Sequence, residues 1–234
     1  MVFDIIKTKP KKTFNFSYTF ANVFSSAFFP AANFERNGFS IGLQPTDLAE
    51  YATDLHTWFL RMKEVWEEIT EIFAGQPDFL GIDSSIAPMY AGKGSLVNLM
   101  KRIHGGFSES VTTDSYTRIS AFIKNENPKP IGLCGLMFPC LEDFELSDAY
   151  EAGNFNIERN IFLSLHSGLG IDTYPIGIDE DPERIRLILN LLLAFAKKYH
   201  KPLSARFVSD GSSRIGEFSD FRNPYLRDVV IRPL

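Results

Sequence analysis

Cysteine is scarce: Cys134 and Cys140 are the two in 234 residues. They lie six apart, not at the C-x-x-C spacing of a redox or zinc element, and two are too few to staple a disulfide scaffold. That usage suits a reducing compartment, so a cytoplasmic protein is expected. A basic excess is missing as well. Lys and Arg number 24 against 29 Asp and Glu, a net charge of −5, so no global positive field gathers nucleic acid. Long apolar runs are absent. The most apolar stretch, Ile185 to Ala196, is interrupted by Arg186 and Asn190 and falls short of the ~20 residues that cross a bilayer. Met1 to Ile6 show no basic segment leading into a sustained apolar one, so neither a secretory leader nor a membrane partner is expected. The sequence has no H-E-x-x-H, G-x-S-x-G, EF-hand loop or phosphate-loop lysine motif, which removes the commonest metalloprotease, hydrolase, calcium and nucleotide readings.

Phenylalanine is abundant, with 22 Phe against 2 Trp and 8 Tyr, and predicts a thick aromatic interior. A compact chain of this length buries about 70% of its unfolded surface, enough for a sizeable core. The first dozen residues carry Lys7, Lys9, Lys11 and Lys12 around Pro10 and read as a solvated basic lead-in over 1–13, ahead of a single α/β domain over 14–234. Phe14 to Phe20 alternates aromatic and polar residues, a strand signature. Phe28-Phe29-Pro30-Ala31-Ala32 reads as an apolar loop packed under something. From Thr46 apolar residues recur at helical spacing through Phe73, as one long helix or two with a bend, ended by Gly75 and Pro77. Buried strands are expected at Phe79–Ile82, Ile131–Met137 and Asn160–Leu165, and further strands at Leu203–Val208 and Asp228–Ile231. Helices are expected from Ser95 to Ile103, from Thr113 to Asn125 and from Asp143 to Ala152. The clearest helix starts at Asp181 as a cap with Pro182 in first position, and closes on Lys197, Lys198, His200 and Lys201 before Pro202. Strands alternating with helices predict an α/β arrangement with a largely parallel sheet or barrel.

Such folds put polar working groups on the loops that follow strands. Four loops qualify. Asp83-Ser84-Ser85 offers a carboxylate with two hydroxyls, and Pro139-Cys140-Leu141-Glu142-Asp143 a thiol with two carboxylates. Leu165 to Asp172 sets His166 and Asp172 on either side of a glycine-loosened turn. Ser209 to Gly216 is a small-residue loop ending near an arginine, suited to an anion through Ser212, Ser213 and Arg214. Each has a plainer reading. Asp83 and Asp172 cap turns or accept backbone N–H groups, Glu142 and Asp143 begin a helix, and His166 is a satisfied core histidine. His56 and His104 have no obvious partners.

Several stretches, in order, resemble the Domain of Unknown Function 711 (UPF0210) family. They are Ala21-Asn22-Val23 with Phe28 to Ala32, Gly81 to Pro88, Pro139 to Asp143, Ser167 to Gly177, and the arginine strand around Arg206. The resemblance covers most of residues 14–234 and matches the family's later portion. It implies a fold similar to pyruvate formate-lyase, here as a partial or reduced barrel with strands alternating with helices. Cys140-Leu141-Glu142 looks like the Cys-x-Glu loop of glycyl-radical enzymes, and Arg214-Ile215-Gly216-Glu217-Phe218 like their Arg-x-x-Gly-aromatic loop. The glycine stands one residue too early and the chain is short for that class, so no glycyl radical is expected.

The leading expectation is a small-molecule-binding enzyme with a carboxylate-rich site at strand-end loops. Asp83, Glu142 and Asp172 would be acid/base or divalent-metal carboxylates, His166 a proton shuttle or ligand, and Arg214 an anion clamp with Ser212 and Ser213. Mg²⁺ or Ca²⁺ is compatible with the carboxylate count but demanded by no spacing. The opposing expectation is a non-catalytic subunit or binding module completing a barrel with a partner chain. In either case the chain is expected to associate, as a homo-oligomer or with a partner that supplies the missing barrel portion, because an incomplete barrel leaves strand edges unpaired.

Overall fold

Residues 1–23, 25–30 and 36–234 are described by a computed structural model, so the Ala31-Ala32 end of the expected apolar loop lies outside the described residues. The chain opens with helix α1 (Val2–Thr8), a 3-10 turn (Pro10–Asn15) and strand β1 (Tyr18–Phe20). The four lead-in lysines are exposed, while Val2 and Ile6 are buried in the core. The strand expected from Phe14 is therefore shorter. Pro10 presets the turn, and Thr13 closes it by donating its hydroxyl to the Pro10 carbonyl at 2.6 Å, so Phe14 belongs to the turn.

Strand β2 (Phe39–Gly42), unforeseen in the sequence, precedes a second 3-10 turn (Pro45–Ala49) and helix α2 (Leu55–Ile72). The break in the long apolar stripe comes at Asp54. Its extended backbone ends the first piece, and its side chain caps the second by accepting from the Thr57 N–H at 2.8 Å. Leu55, Trp58, Met62 and Trp66 form the buried stripe, and the Trp58 indole N–H donates to the Pro45 carbonyl at 2.8 Å, tying the two pieces together. Strand β3 (Phe79–Asp83) is buried throughout, and helices α3 (Leu96–His104), α4 (Phe107–Val111), α5 (Ser115–Asn125) and α6 (Phe144–Glu151) follow.

Further expectations need correction. Asn160–Leu165 is not a strand but the second half of helix α7 (Ile157–His166), capped by Asn156, which accepts from the Arg159 N–H at 2.9 Å. Its buried residues Ile157, Asn160, Leu163 and Ser164 fall on one helical face. The glycine-loosened turn ending at Asp172 is in fact the start of strand β4 (Gly170–Pro175), so Asp172 sits on a strand. Residues 131–137 form no named strand, because Gly132 and Cys134 adopt left-handed φ values of 79° and 41° and interrupt the extended chain. Helix α8 (Pro182–Tyr199) starts at its Asp181 cap as expected, and β5 (Leu203–Val208) follows it. At 228–231 there is one antiparallel bridge, Phe218 with Val230.

The architecture is mixed α/β with small open sheets. One sheet runs β1-β5-β4, with β4 parallel and β1 antiparallel to β5; the other pairs β2 and β3 in parallel. Isolated parallel bridges connect them: Ile82 with Pro130, Ile86 with Leu136, Leu136 with Gly168 and Pro139 with Asp172. Backbone pairing is thus continuous from β2 through β3, residues 130–139, β4 and β5 to β1, an arc rather than a closed barrel among the described residues. At Gly170, where φ is +112°, a Cβ would run into the Ser204 carbonyl oxygen of β5, so only glycine lets the two strands approach this closely. Leu203, Ala205 and Phe207 alternate into the core cluster that also holds Ile185, Ile188, Leu192 and Ala196 of α8. The alternation leaves Ser204 and Arg206 on the opposite face. Among the described residues no helix is long and apolar enough to cross a membrane.

Candidate functional site

The pairing of β4 with β5 slips between Ile171, opposite Ala205, and Tyr174, opposite Phe207. Asp172 and Thr173 therefore both stand against Arg206 alone, a β-bulge. Thr173 takes a φ of +40°, a costly conformation for a β-branched residue, of the kind that clusters where a fold re-aims side chains.

Arg206 is the hub of the group the bulge assembles. Its Nε–H donates to Asp172 Oδ1 at 2.6 Å and its Nη2–H to Glu142 Oε2 at 2.6 Å. Its Nη1–H reaches the Phe14 carbonyl at 3.3 Å, and the guanidinium lies 5.0 Å from the Phe14 ring centroid and 5.4 Å from that of Phe29. The Arg206, Glu142 and Asp172 side chains are 12%, 12% and 17% exposed, so solvent screens them little. Burial pushes the Glu142 carboxyl up to about 7; Arg206 opposes the push, the Asp172 carboxylate adds to it, and the Thr173 hydroxyl bond opposes it again. Two carboxyls on one guanidinium give a group that can hold or release a proton near neutrality at Glu142. A crevice lined by Ser17, Asn22, Phe29, Met137 and Ser204 reaches Asp172 and Arg206. Its cavity volume of about 20 Å³ is room for a single water.

The other sequence candidates lie apart from this group. Asp83 is fully buried and accepts from the Ser85 N–H and Oγ–H at 3.1 and 2.5 Å, from the Leu133 and Cys134 N–H groups at 3.0 Å each, and from the Ser26 hydroxyl. With five donors on one carboxylate, Asp83 pins the 130–139 segment to the end of β3. Half-buried His166 bonds Ser167 Oγ through Nδ1 at 2.6 Å and meets the Phe162 ring edge to face. Burial and then the nearby Lys201 lower its pKa, and it shares no hydrogen bond with Arg206, Glu142 or Asp172 among the described residues. In the 209–216 loop, the Ser212 and Ser213 amides both donate to Asp210 Oδ1 at 2.8 Å, and Ser213 Oγ–H to Asp210 Oδ2 at 2.5 Å. The anion held by that turn is the protein's own Asp210. Burial raises its pKa, but the Ser213, Ser212 and Asp220 bonds outweigh it and bring the carboxyl down to about 2. Arg214 is exposed and points to Asp179 at 3.8 Å, so it does not form one clamp with Ser213.

Cys140 is fully buried, and burial pushes its thiol well up, which makes it a poor nucleophile. Asp143 caps α6 by accepting from the Leu146 N–H at 3.3 Å, and takes the Leu96 N–H at 3.0 Å at the start of α3. The plainer helix-start reading holds for it, although burial pushes its carboxyl up to about 7 against the Ser95 bond. Among the described residues no three His, Cys, Asp or Glu side chains are grouped to hold a metal ion. The Glu142 and Asp172 carboxyls have the Arg206 cation bonded to both. In the sequence Arg206 stood out as the arginine of a strand that carries the family resemblance, with no role assigned; its partners stand 34 and 64 residues away.

A family model described as "Uncharacterised ACR (DUF711)" matches residues 10–222. The chain belongs to this family. The match takes in Asp83, Glu142, Asp172 and Arg206, and also the 3-10 turn carrying Phe14. A UPF0210 protein of Pyrobaculum arsenaticum is 27% identical over 100 residues, which are 43% of this chain and 22% of that relative. The aligned stretch is thus a small part of the relative's length.

Proposed function

We propose that this protein is an acid/base enzyme acting on a small molecule, with Glu142 as the group that moves the proton. The observation that carries the reading is a largely buried carboxyl, raised to about 7, sharing one guanidinium with a second carboxylate. General acid/base catalysis works best with a group whose pKa lies near the operating pH. Arg206 and Asp172 set the field around Glu142, and the Arg206 bond orients it. A metal is not needed for that step, and the protein is read as cytoplasmic. Asp83 takes no part in the chemistry under this reading, nor does His166.

The arc also supports a coarser alternative. Among the described residues no further strand pairs with the outer edges of β1 and β2, as in a portion of a barrel of the pyruvate formate-lyase kind whose remaining strands come from a partner chain. The activity test separates the two. Wild-type protein and Glu142→Gln are incubated in D₂O with a mixture of small metabolites and followed by NMR and mass spectrometry. The enzyme reading expects one compound to be converted or to take up deuterium with wild type and not with the variant. If both proteins leave every compound unchanged, the enzyme reading fails and the barrel-completing module stands.

A further inference from the structure

Beyond the proton-transfer group, a cleft with a cavity volume of about 360 Å³ opens at the C-terminal end of β5. It lies between the Pro10–Asn15 turn and residues 220–226, with Val208 and Ser209 at its base. That volume is in the range of small-ligand pockets, roughly 300–1,000 Å³. The charges lining it are not equally available. Asp210 spends both oxygens on the Ser212, Ser213 and Asp220 donors, and Asp220 Oδ2 accepts from Arg222 Nε at 2.8 Å. The donors, by contrast, are unspent. Among the described residues the Lys11 ammonium has no salt-bridge partner, and the Arg222 Nη groups, Ser212 Oγ–H and Asn223 Nδ2 make no hydrogen bond. A pocket whose Asp210 is satisfied from within, whose Asp220 is paired with Arg222 and whose remaining donors are free is complementary to an acceptor-only ligand.

We infer that this cleft binds a small anion, a carboxylate or phosphate group of a metabolite, through Lys11, Ser212, Asn223 and Arg222. Of the three anion-binding candidates Ser212, Ser213 and Arg214, Ser212 lines the cleft; Lys11 and Arg222 supply the positive charge in place of Arg214. Asp210 sets the shape of the cleft wall and keeps the loop amides for itself. The cleft rests on its own lining and not on the chemistry of Glu142. One residue joins the two places: Phe14 lines the cleft, and its carbonyl accepts from Arg206.

Titrating ¹⁵N-labelled protein with sodium phosphate, and separately with sodium acetate, at constant ionic strength tests the site. Saturable shifts are expected at the amides of Ser209, Gly211, Ser212, Arg222 and Asn223 with at least one of the two anions, and the tighter one names the headgroup. Lys11→Met should weaken that binding about tenfold, the loss of one charge-assisted hydrogen bond. Lys11 is exposed, so its removal leaves the fold intact; Ser212→Ala is a second probe that touches no buried group. Glu142→Gln should bind as wild type does, which keeps this test separate from that of the proton-transfer reading. The inference is overturned if neither anion gives saturable shifts, if the shifts spread over lysines elsewhere on the surface, or if Lys11→Met binds unchanged.

Discussion

The Arg206 guanidinium and the Asp172 carboxylate meet at 2.6 Å because one extra residue is inserted on one side of the strand pair. In an unbulged ladder Asp172 and Thr173 would point to opposite faces of the sheet. With two residues of β4 opposite one of β5, Asp172 grips Arg206 while the Thr173 hydroxyl accepts from the Leu141 N–H at 3.4 Å, beside Glu142.

Removing the guanidinium should be costly, because two carboxyls would be left in a poorly solvated place. Arg206→Met is expected to lower unfolding stability by about 3–5 kcal/mol, read from urea unfolding. Adding Glu142→Gln and Asp172→Asn to it should recover part of that loss. A single variant as stable as wild type would show that the pair adds nothing.

The pH dependence of stability carries a definite sign. Glu142 has its carboxyl raised from the usual 4.5 to about 7 in the folded chain, so the folded state holds a proton that the unfolded state has released. Its stabilising effect is full below about 4.5 and is lost as pH rises through about 7. Asp143, also raised to about 7, has the same sign, so the difference between wild type and Glu142→Gln isolates Glu142. That difference should change between pH 4.5 and 7.5 in chemical denaturation; a constant difference would contradict the raised pKa.

Asp83 is predicted to be structural. Asp83→Asn turns an amide N–H₂ toward donors that need an acceptor, and should cost roughly 2–4 kcal/mol, with the largest chemical-shift changes at Leu133 and Cys134. Loss of anion or substrate binding at unchanged stability would instead make it a working carboxylate.

Asn156 tests the helix that the sequence reading missed. Asn156→Ala should destabilise by about 1 kcal/mol through loss of the N-cap, with amide exchange quickening first at the start of α7. No change would mean that the cap contributes nothing there.

Among the described residues the arc ends at β1 and β2 with no further strand paired. We propose that the chain pairs through β1 or β2, as a homo-oligomer or with a partner, and sedimentation at micromolar concentration should find a species heavier than one chain. A sharp monomer boundary at every concentration would defeat the homo-oligomer.

Local rules made much of this fold legible. Asp181 followed by Pro182 announced α8, and the run Phe79–Ile82 announced β3, because caps and apolar runs act over a few residues. Asn160–Leu165 misled because six mostly apolar residues fit a strand as well as a helix, and the Asn156 cap that decides the matter stands outside the run. Residues 131–137 misled for another reason: Asp83, about fifty positions earlier, draws the Leu133 and Cys134 amides into a left-handed turn. Glu142 and Asp172 were readable as candidate carboxylates, although the strands expected before them are not there and Asp172 lies on β4 itself; their meeting at Arg206 was not readable. It depends on a one-residue slip in pairing that no local pattern encodes.

Gly170 gives this arrangement an unusual kind of vulnerability. Beyond the two partners themselves, a residue whose replacement would disturb the Asp172–Arg206 contact bears no functional group and stands two positions before Asp172. Any side chain there would press on the Ser204 carbonyl and lever β4 away from β5. In a saturation screen, Gly170 should tolerate fewer substitutions than Thr173 and as few as Arg206. A map of intolerance drawn from such a screen would mark an atom that is absent as firmly as the charges beside it.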